Sequence, residues 1–192
     1  MNSKNELEGV KKSARENNMN RKIILNLAIS LDGYIACDDG GFDWIVGDGD
    51  SKLDTKNKWD YGKFLEGIDI VVMGKNCYDQ KFHNDFKDKK VYVATSKDIQ
   101  NHGNIHFING NIVKIIEEER KNEGKDIFLF GGGGLVDSFI KADVIDEYII
   151  GIIPTILGKG RPLFLGNNPH INLHLEEYLT DSGVVILRYS KR

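Results

Sequence analysis

The chain has 192 residues, enough for one domain and cramped for two. Apolar residues make up 40% and charged residues 29%, the balance of a soluble globular protein, and a net charge of −3 leaves no basic footprint for nucleic acid or an anionic membrane. No apolar run approaches the roughly 20 residues of a membrane span, and residues 1–20 lack the apolar core of a secretory signal.

Residues 1–20 are polar and mixed in charge and read as a flexible extension, with the folded domain over 21–192. Lys22 to Ile29 is a strand that ends in the turn Ser30-Leu31-Asp32-Gly33, and Tyr34 to Ala36 is extended again. Cys37 to Gly41 is a loop, Phe42 to Val46 is apolar, and Gly47 to Asp54 is acidic and glycine-rich. Trp59, Phe64 and Leu65 mark a short helical face. Asp69 to Met73 is apolar at almost every position, as a strand covered on both sides should be, and Gly74 to Tyr78 turns into a short helix. Lys90 to Ala94 and Ile105 to Ile108 are further strands, and Asn111 caps a helix reaching Glu123. Strand 126–130 runs through Gly131 to Gly134 into a helix over 132–141. Asp146 to Ile153 is a long strand, followed by turn-rich sequence. Asn172 to Thr180 and Val184 to Tyr189 form a hairpin around Asp181-Ser182-Gly183. The fold expected is α/β in three layers: a mixed, mostly parallel sheet, helices on both faces and a C-terminal antiparallel hairpin.

Cys37 and Cys77 are far apart and in no metal-binding spacing, which fits reduced thiols in a cytoplasmic protein. His102/His106 and His170/His174 have helical zinc spacing but fall in turn-rich or strand-like sequence, so no metal is expected. In open parallel sheets, ligands bind off the carboxyl ends of the strands. The four glycines could be a tight turn or a phosphate cradle of bare N–H groups at a helix N-terminus. Two more strand ends share the pattern. Met73 runs into Gly74, Lys75, Asn76 and Cys77, and Ala94 runs into Thr95, Ser96 and Lys97. Together they look like sites for separate phosphates of one dinucleotide, with Lys75 and Lys97 on a ribose 2′-phosphate, which favours NADPH over NADH. On the first strand, alternation puts Asn26 and Ala28 on one face, where a small residue leaves room for a flat ring. Trp44 could stack on that ring or be a core aromatic.

Four segments in order carry a resemblance: Ala28 to Ala36 (AISLDGYIA), Val72 to Tyr78 (VMGKNCY), Gly131 to Leu135 (GGGGL) and Ile153 to Phe164 (IPTILGKGRPLF). The chain resembles the dihydrofolate reductase superfamily, and within it the reductase domain of riboflavin-biosynthesis proteins, the RibD C-terminal type, over about residues 21–192. The resemblance implies a dihydrofolate reductase-like fold and an NADPH-dependent reductase. By its pattern Ala28 and Ile35 lie beside the nicotinamide and Gly74 to Cys77 along the phosphates and adenosine. Thr95 to Lys97 take the 2′-phosphate, Gly131 to Leu135 take the pyrophosphate, and Trp44 borders the cofactor. The activity implied is most like 5-amino-6-(5-phosphoribosylamino)uracil reductase. The alternatives are dihydrofolate reduction and a non-catalytic ligand-binding or dimerisation module. A small pterin-like or ribosylaminopyrimidine-like substrate, near Asn26, and a homodimer through the C-terminal strands are also implied. The Asp-Asp-Pro segment of the riboflavin enzymes is replaced by Tyr78 to Phe82 (YDQKF), and the usual acid after the Trp by Gly47 to Asp50. Asp32 and Asp50, or a water they orient, are the candidate proton donors. Asp32 also reads as the capping residue of its own turn.

Overall fold

Strand β1 (Ile23–Ser30) is apolar almost throughout because it is covered on both sides. Ile23 and Leu25 enter one core and Ile24 the other. The computed structural model describes residues 21–192, so the extension expected over residues 1–20 lies outside the described residues. The remaining strands are β2 (Tyr34–Ala36), β3 (Ile68–Gly74), β4 (Lys90–Thr95), β5 (Ile105–Asn109), β6 (Asp126–Gly131), β7 (Glu147–Ile153), β8 (Arg161–Pro162), β9 (Leu173–Asp181) and β10 (Val184–Lys191). The main sheet has 8 strands in the order β5-β4-β3-β6-β1-β7-β10-β9. Every pair from β5 to β7 is parallel, and β10 runs antiparallel to both β7 and β9. The sheet is therefore mixed and mostly parallel, with the C-terminal hairpin added antiparallel at one side.

Helices cover both faces. On one face lie α3 (Ile112–Glu119) and α4 (Gly133–Lys141), which bury Ile112, Ile116, Leu135, Val136, Phe139 and Ile140. On the other lie α1 (Tyr61–Glu66), α2 (Lys75–Asp79) and a 3₁₀ turn over Phe82–Phe86 that buries Phe86. The chain alternates faces because a parallel neighbour can be reached only by a crossover, and each crossover brings its own apolar stripe back to the sheet. Phe139 is fully buried; truncating such a ring costs about 3–5 kcal/mol.

Two elements differ from the sequence reading. Helix α3 stops at Glu119 rather than Glu123, because Gly124 at φ +157 swings the chain into β6. A side chain there would meet Asp69 Oδ2 at 2.6 Å. The stretch read as turn-rich contains β8, which pairs with β2 in a small second sheet.

The edge where the parallel strands begin is packed with paired charges. Arg21 donates to Asp69 and to the Lys125 carbonyl. Buried Glu147 accepts from Lys22 Nζ at 3.2 Å and from Arg188. Arg120 holds Asp146 at 2.9 Å, and Lys90 and Tyr92 share Glu119 at 2.8 and 2.5 Å.

Candidate functional site

At the opposite edge, where the parallel strands end, lies a cavity of about 1010 Å³. Its floor follows from residue size. Ala28 of β1 pairs in register with Gly151 of β7, and Gly151 with Ile186 of β10. A Cβ on Gly151 would stand 3.8 Å from that of Ala28. Two small residues side by side leave a flat opening that larger side chains would fill. Asn26, one turn of the pleat deeper on β1, lines the same cavity, and its Nδ2 is buried with no hydrogen-bond partner among the described residues.

One wall is bare backbone. Strand β6 passes through Gly131, at φ +130, and a cis Gly131–Gly132 peptide into α4. The helix caps separate into two kinds. Asp60 caps α1 and Asn111 caps α3 with side-chain oxygens, whereas α2 and α4 begin at Gly74 and Gly132 with no side-chain cap. Both glycine starts line the cavity. They adjoin each other, for a Cβ on Gly74 would stand 3.8 Å from Gly131 O and 3.9 Å from Gly132 N. A Cβ on Gly133 would press on Pro162 O at 3.0 Å, while one on Gly134 would meet nothing within 4 Å of the protein. The uncapped start of α4 leaves N–H groups and a positive dipole end facing open space, which suits an anion. Lys75 and Arg161 supply positive charge on the lining of the same cavity. Lys75 pairs with Asp79, and Arg161 Nη2 donates to Asp38 O at 3.2 Å. Burial pushes the Cys77 thiol up, so it stands neutral beside Gly132.

The other wall is aromatic. Ring centroids step from Phe42 to Phe82 (5.4 Å), Phe82 to Phe130 (5.2 Å), Phe130 to Phe128 (5.6 Å) and Phe128 to Tyr61 (6.5 Å). Phe42, Ile45, Val46 and Gly47 come from a loop that the β9–β10 hairpin holds in place. Thr55 and Thr180 exchange backbone and side-chain bonds, and Ser182 N–H donates to Asp54 at 2.7 Å. The approach is so close that a Cβ on Gly47 would stand 2.1 Å from Ser182 O, so only glycine fits.

Of the residues singled out in the sequence, Asn26, Ala28, Ile35, Gly74, Lys75, Asn76, Cys77, Gly131, Gly132, Gly133, Gly134 and Leu135 all line this one cavity. The others stand apart. Thr95 ends β4, one residue past Ala94, which pairs in register with Gly74, and Ser96 and Lys97 follow it on the same edge, but all three lie outside the cavity wall. Trp44 does not line it; its neighbours Phe42, Ile45 and Val46 do, and the tryptophan on the wall is Trp59. Asp32 points into its own turn, where Ser30 Oγ lies at 2.6 Å and the N–H groups of Leu157 and Gly158 donate at 3.1 and 2.7 Å. It ties the turn after β1 to the segment after β7. Asp50 accepts the Lys52 N–H in an exposed loop. Neither carboxylate reaches the cavity, whose lining among the described residues includes no Asp, Glu or His. Arg161, Tyr61 and the phenylalanine row were missed in the sequence. The Gly-Lys-Gly-Arg-Pro turn was a signal for Arg161, since two glycines beside a cation suit close approach to an anion.

An eight-stranded, mostly parallel sheet with a glycine cradle at its carboxyl edge defines a dihydrofolate reductase-like α/β protein. The profile of the RibD C-terminal domain family matches residues 21–187, and the chain belongs to that family. An uncharacterised protein of Bacillus subtilis strain 168, YyaP, is 34% identical over 189 residues, spanning 88% of this chain and 94% of its own. A Shewanella sp. PV-4 protein assigned by inference to riboflavin biosynthesis superimposes with a TM-score of 0.72 at 26% identity, over 89% of this chain and 99% of its own. The Thermotoga maritima deaminase/5-amino-6-(5-phosphoribosylamino)uracil reductase shares the fold, with a TM-score of 0.65 at 14% identity over 92% of this chain and 58% of that one.

Proposed function

We propose that the protein is an NADPH-dependent reductase. The observation that carries this reading is the uncapped start of α4 behind Gly131–Gly134, opening onto the same cavity as the flat Ala28–Gly151 floor. The residues present fit the cofactor: a Cβ on Gly134 would enter open space, and the cations Lys75 and Arg161 line the same cavity. Bound NADPH would supply a hydride. Gly131 to Leu135 would hold the pyrophosphate, Gly74 to Cys77 and Arg161 the neighbouring phosphates, and Thr95 to Lys97 the 2′-phosphate one strand further along. Ala28 and Ile35 would bound the nicotinamide. The chain's contribution to rate would come chiefly from positioning two flat molecules face to face. With no carboxylate on the wall, the proton for the acceptor heteroatom would come from water. Burial and the nearby Asp85 push the Tyr61 phenol up to about 12, so it stays a neutral donor that can orient such a water. Membership of a reductase family supports small-molecule chemistry, and no helix among the described residues is long and apolar enough to cross a membrane.

The test is calorimetry with NADPH and NADH, then steady-state loss of NADPH absorbance with the ribosylaminouracil phosphate and with dihydrofolate. Tighter binding of NADPH than NADH is expected. Failure to bind either nucleotide would sink the proposal and leave the second reading, a ligand-binding module, which the carboxylate-free wall favours.

A further inference from the structure

We propose that the acceptor is an uncharged, flat, conjugated carbonyl or imine ring system rather than a phosphorylated or carboxylated one. This rests on the reductase reading above. Charge on the cavity lining is unevenly placed. Among the described residues Lys75 and Arg161 are its charged side chains; Lys75 stands at the glycine wall, and the Arg161 guanidinium packs beside Gln80, 3.3 Å from where a Cβ on Gly40 would lie. Lys75 follows Gly74 directly, and Arg161 precedes Pro162, whose carbonyl faces Gly133. The opposite end is the row of rings from Phe42 to Tyr61, with Ile186 packed against the same cluster from β10. An anionic group bound at the Phe128–Tyr61 end of that row would give up its water and find no cation among the described lining residues there in return.

Two further observations describe the occupant. Asn26 Nδ2 is a buried donor without a partner, beside the Ala28 floor, and it suits a carbonyl oxygen or ring nitrogen. Phe42, Ile45 and Val46 line the cavity yet are 48%, 37% and 61% exposed, apolar surface that a flat ring would cover. In the reaction, the acceptor carbon gains the hydride and its C=O or C=N π bond breaks. The oxygen or nitrogen takes a proton from water, and the nicotinamide is left oxidised.

The experiment uses isatin, a neutral flat dicarbonyl, against isatin-5-sulfonate, the same ring with an anion. Binding of each is measured by calorimetry on the full chain without cofactor, and NADPH binding is measured separately. Isatin is expected to bind roughly 10-fold more tightly than its sulfonate, and with NADPH to be consumed at C3. Val184→Lys, which places a cation on the cavity lining, should close or invert that gap. Phe42→Ala, at a half-exposed loop position, should weaken isatin about 5-fold with the melting temperature unchanged. Equal or tighter binding of the sulfonate, absence of isatin binding, or tight binding of the ribosylaminouracil phosphate would each overturn the proposal while leaving NADPH binding intact. Isatin binding without NADPH binding would uphold the pocket chemistry and overturn the reductase reading instead.

Discussion

The two ends of the same sheet solve opposite problems. Where the strands begin, nearly every charged group has a partner: Arg21 with Asp69, Glu147 with Lys22 and Arg188, Asp146 with Arg120. Where they end, two helices start without side-chain caps, Asn26 keeps an unsatisfied donor, and apolar loop residues stay exposed. An unmade hydrogen bond on a buried group costs about 1–3 kcal/mol. Among the described residues the first end is satisfied apart from the buried Arg120 Nε, and the second combines its open groups in one cavity. The closed end holds the strands in register, and the open end uses that rigidity to keep the cradle and the floor in place.

The largest effect should come from filling the open end. A Cβ at Gly134 meets nothing within 4 Å outside its own helix turn, so Gly134→Val should not lower stability and removes a glycine from a helix. Its side chain would still occupy the cradle. NADPH affinity should fall roughly 30-fold, about 2 kcal/mol, with the melting temperature unchanged or raised. Loss of fold together with affinity would mean that Gly134 is there for packing.

The reverse experiment is at the closed end. Arg188→Ala leaves buried Glu147 with Lys22 as its remaining cation. Both cations are about half exposed, so the cost should be about 1–2 kcal/mol, well below that of breaking a fully buried pair. Urea denaturation should record it, and NADPH affinity should not change. A matching loss of affinity would mean that the two ends are coupled. A smaller effect again is expected from Lys75→Ala. Its ammonium is shared with Asp79, so about 3- to 5-fold in NADPH affinity, on the order of 1 kcal/mol, should be lost by calorimetry.

The backbone of both ends was legible in the sequence, because it depends on local signals. Apolar runs bounded by turns located the strands, and Asn111 marked its helix start through its own side chain. The glycine passage from β6 into α4 was legible for the same reason: four glycines between a strand and a helix are contiguous. The aromatic wall was not. Phe42, Phe82, Phe128 and Phe130 come from separate elements, and single phenylalanines look the same whether they fill a core or line a cavity. Trp44 and Trp59 could not be told apart until the β9–β10 hairpin fixed the loop between them. Asp32 was ambiguous because Ser-x-Asp-Gly is turn chemistry whatever lies opposite, and the N–H groups it accepts are over a hundred residues away at Leu157 and Gly158.

Asp32 provides the finest test of the comparison, because it stands at the open edge yet behaves like a closed-end group. Its carboxyl is held below the ordinary carboxylate value, first by Ser30 Oγ and then by the Gly158 and Leu157 N–H groups. A depressed folded value means the stabilisation is complete above the unfolded value, about 4, and is lost as pH falls through the folded one. Thermal melts from pH 7 downward should therefore show wild type losing an advantage over Asp32→Asn only below about pH 4. The two curves should run parallel above it. Turnover separates this reading from the proton-donor reading. A turn-capping Asp32 leaves the kcat profile above about pH 5 with the same shape in Asp32→Asn, since water delivers the proton in both. If the substitution instead removed an ionisation from that profile, the acid would have to reach the cavity, and the open end would contain a charged group that its lining lacks.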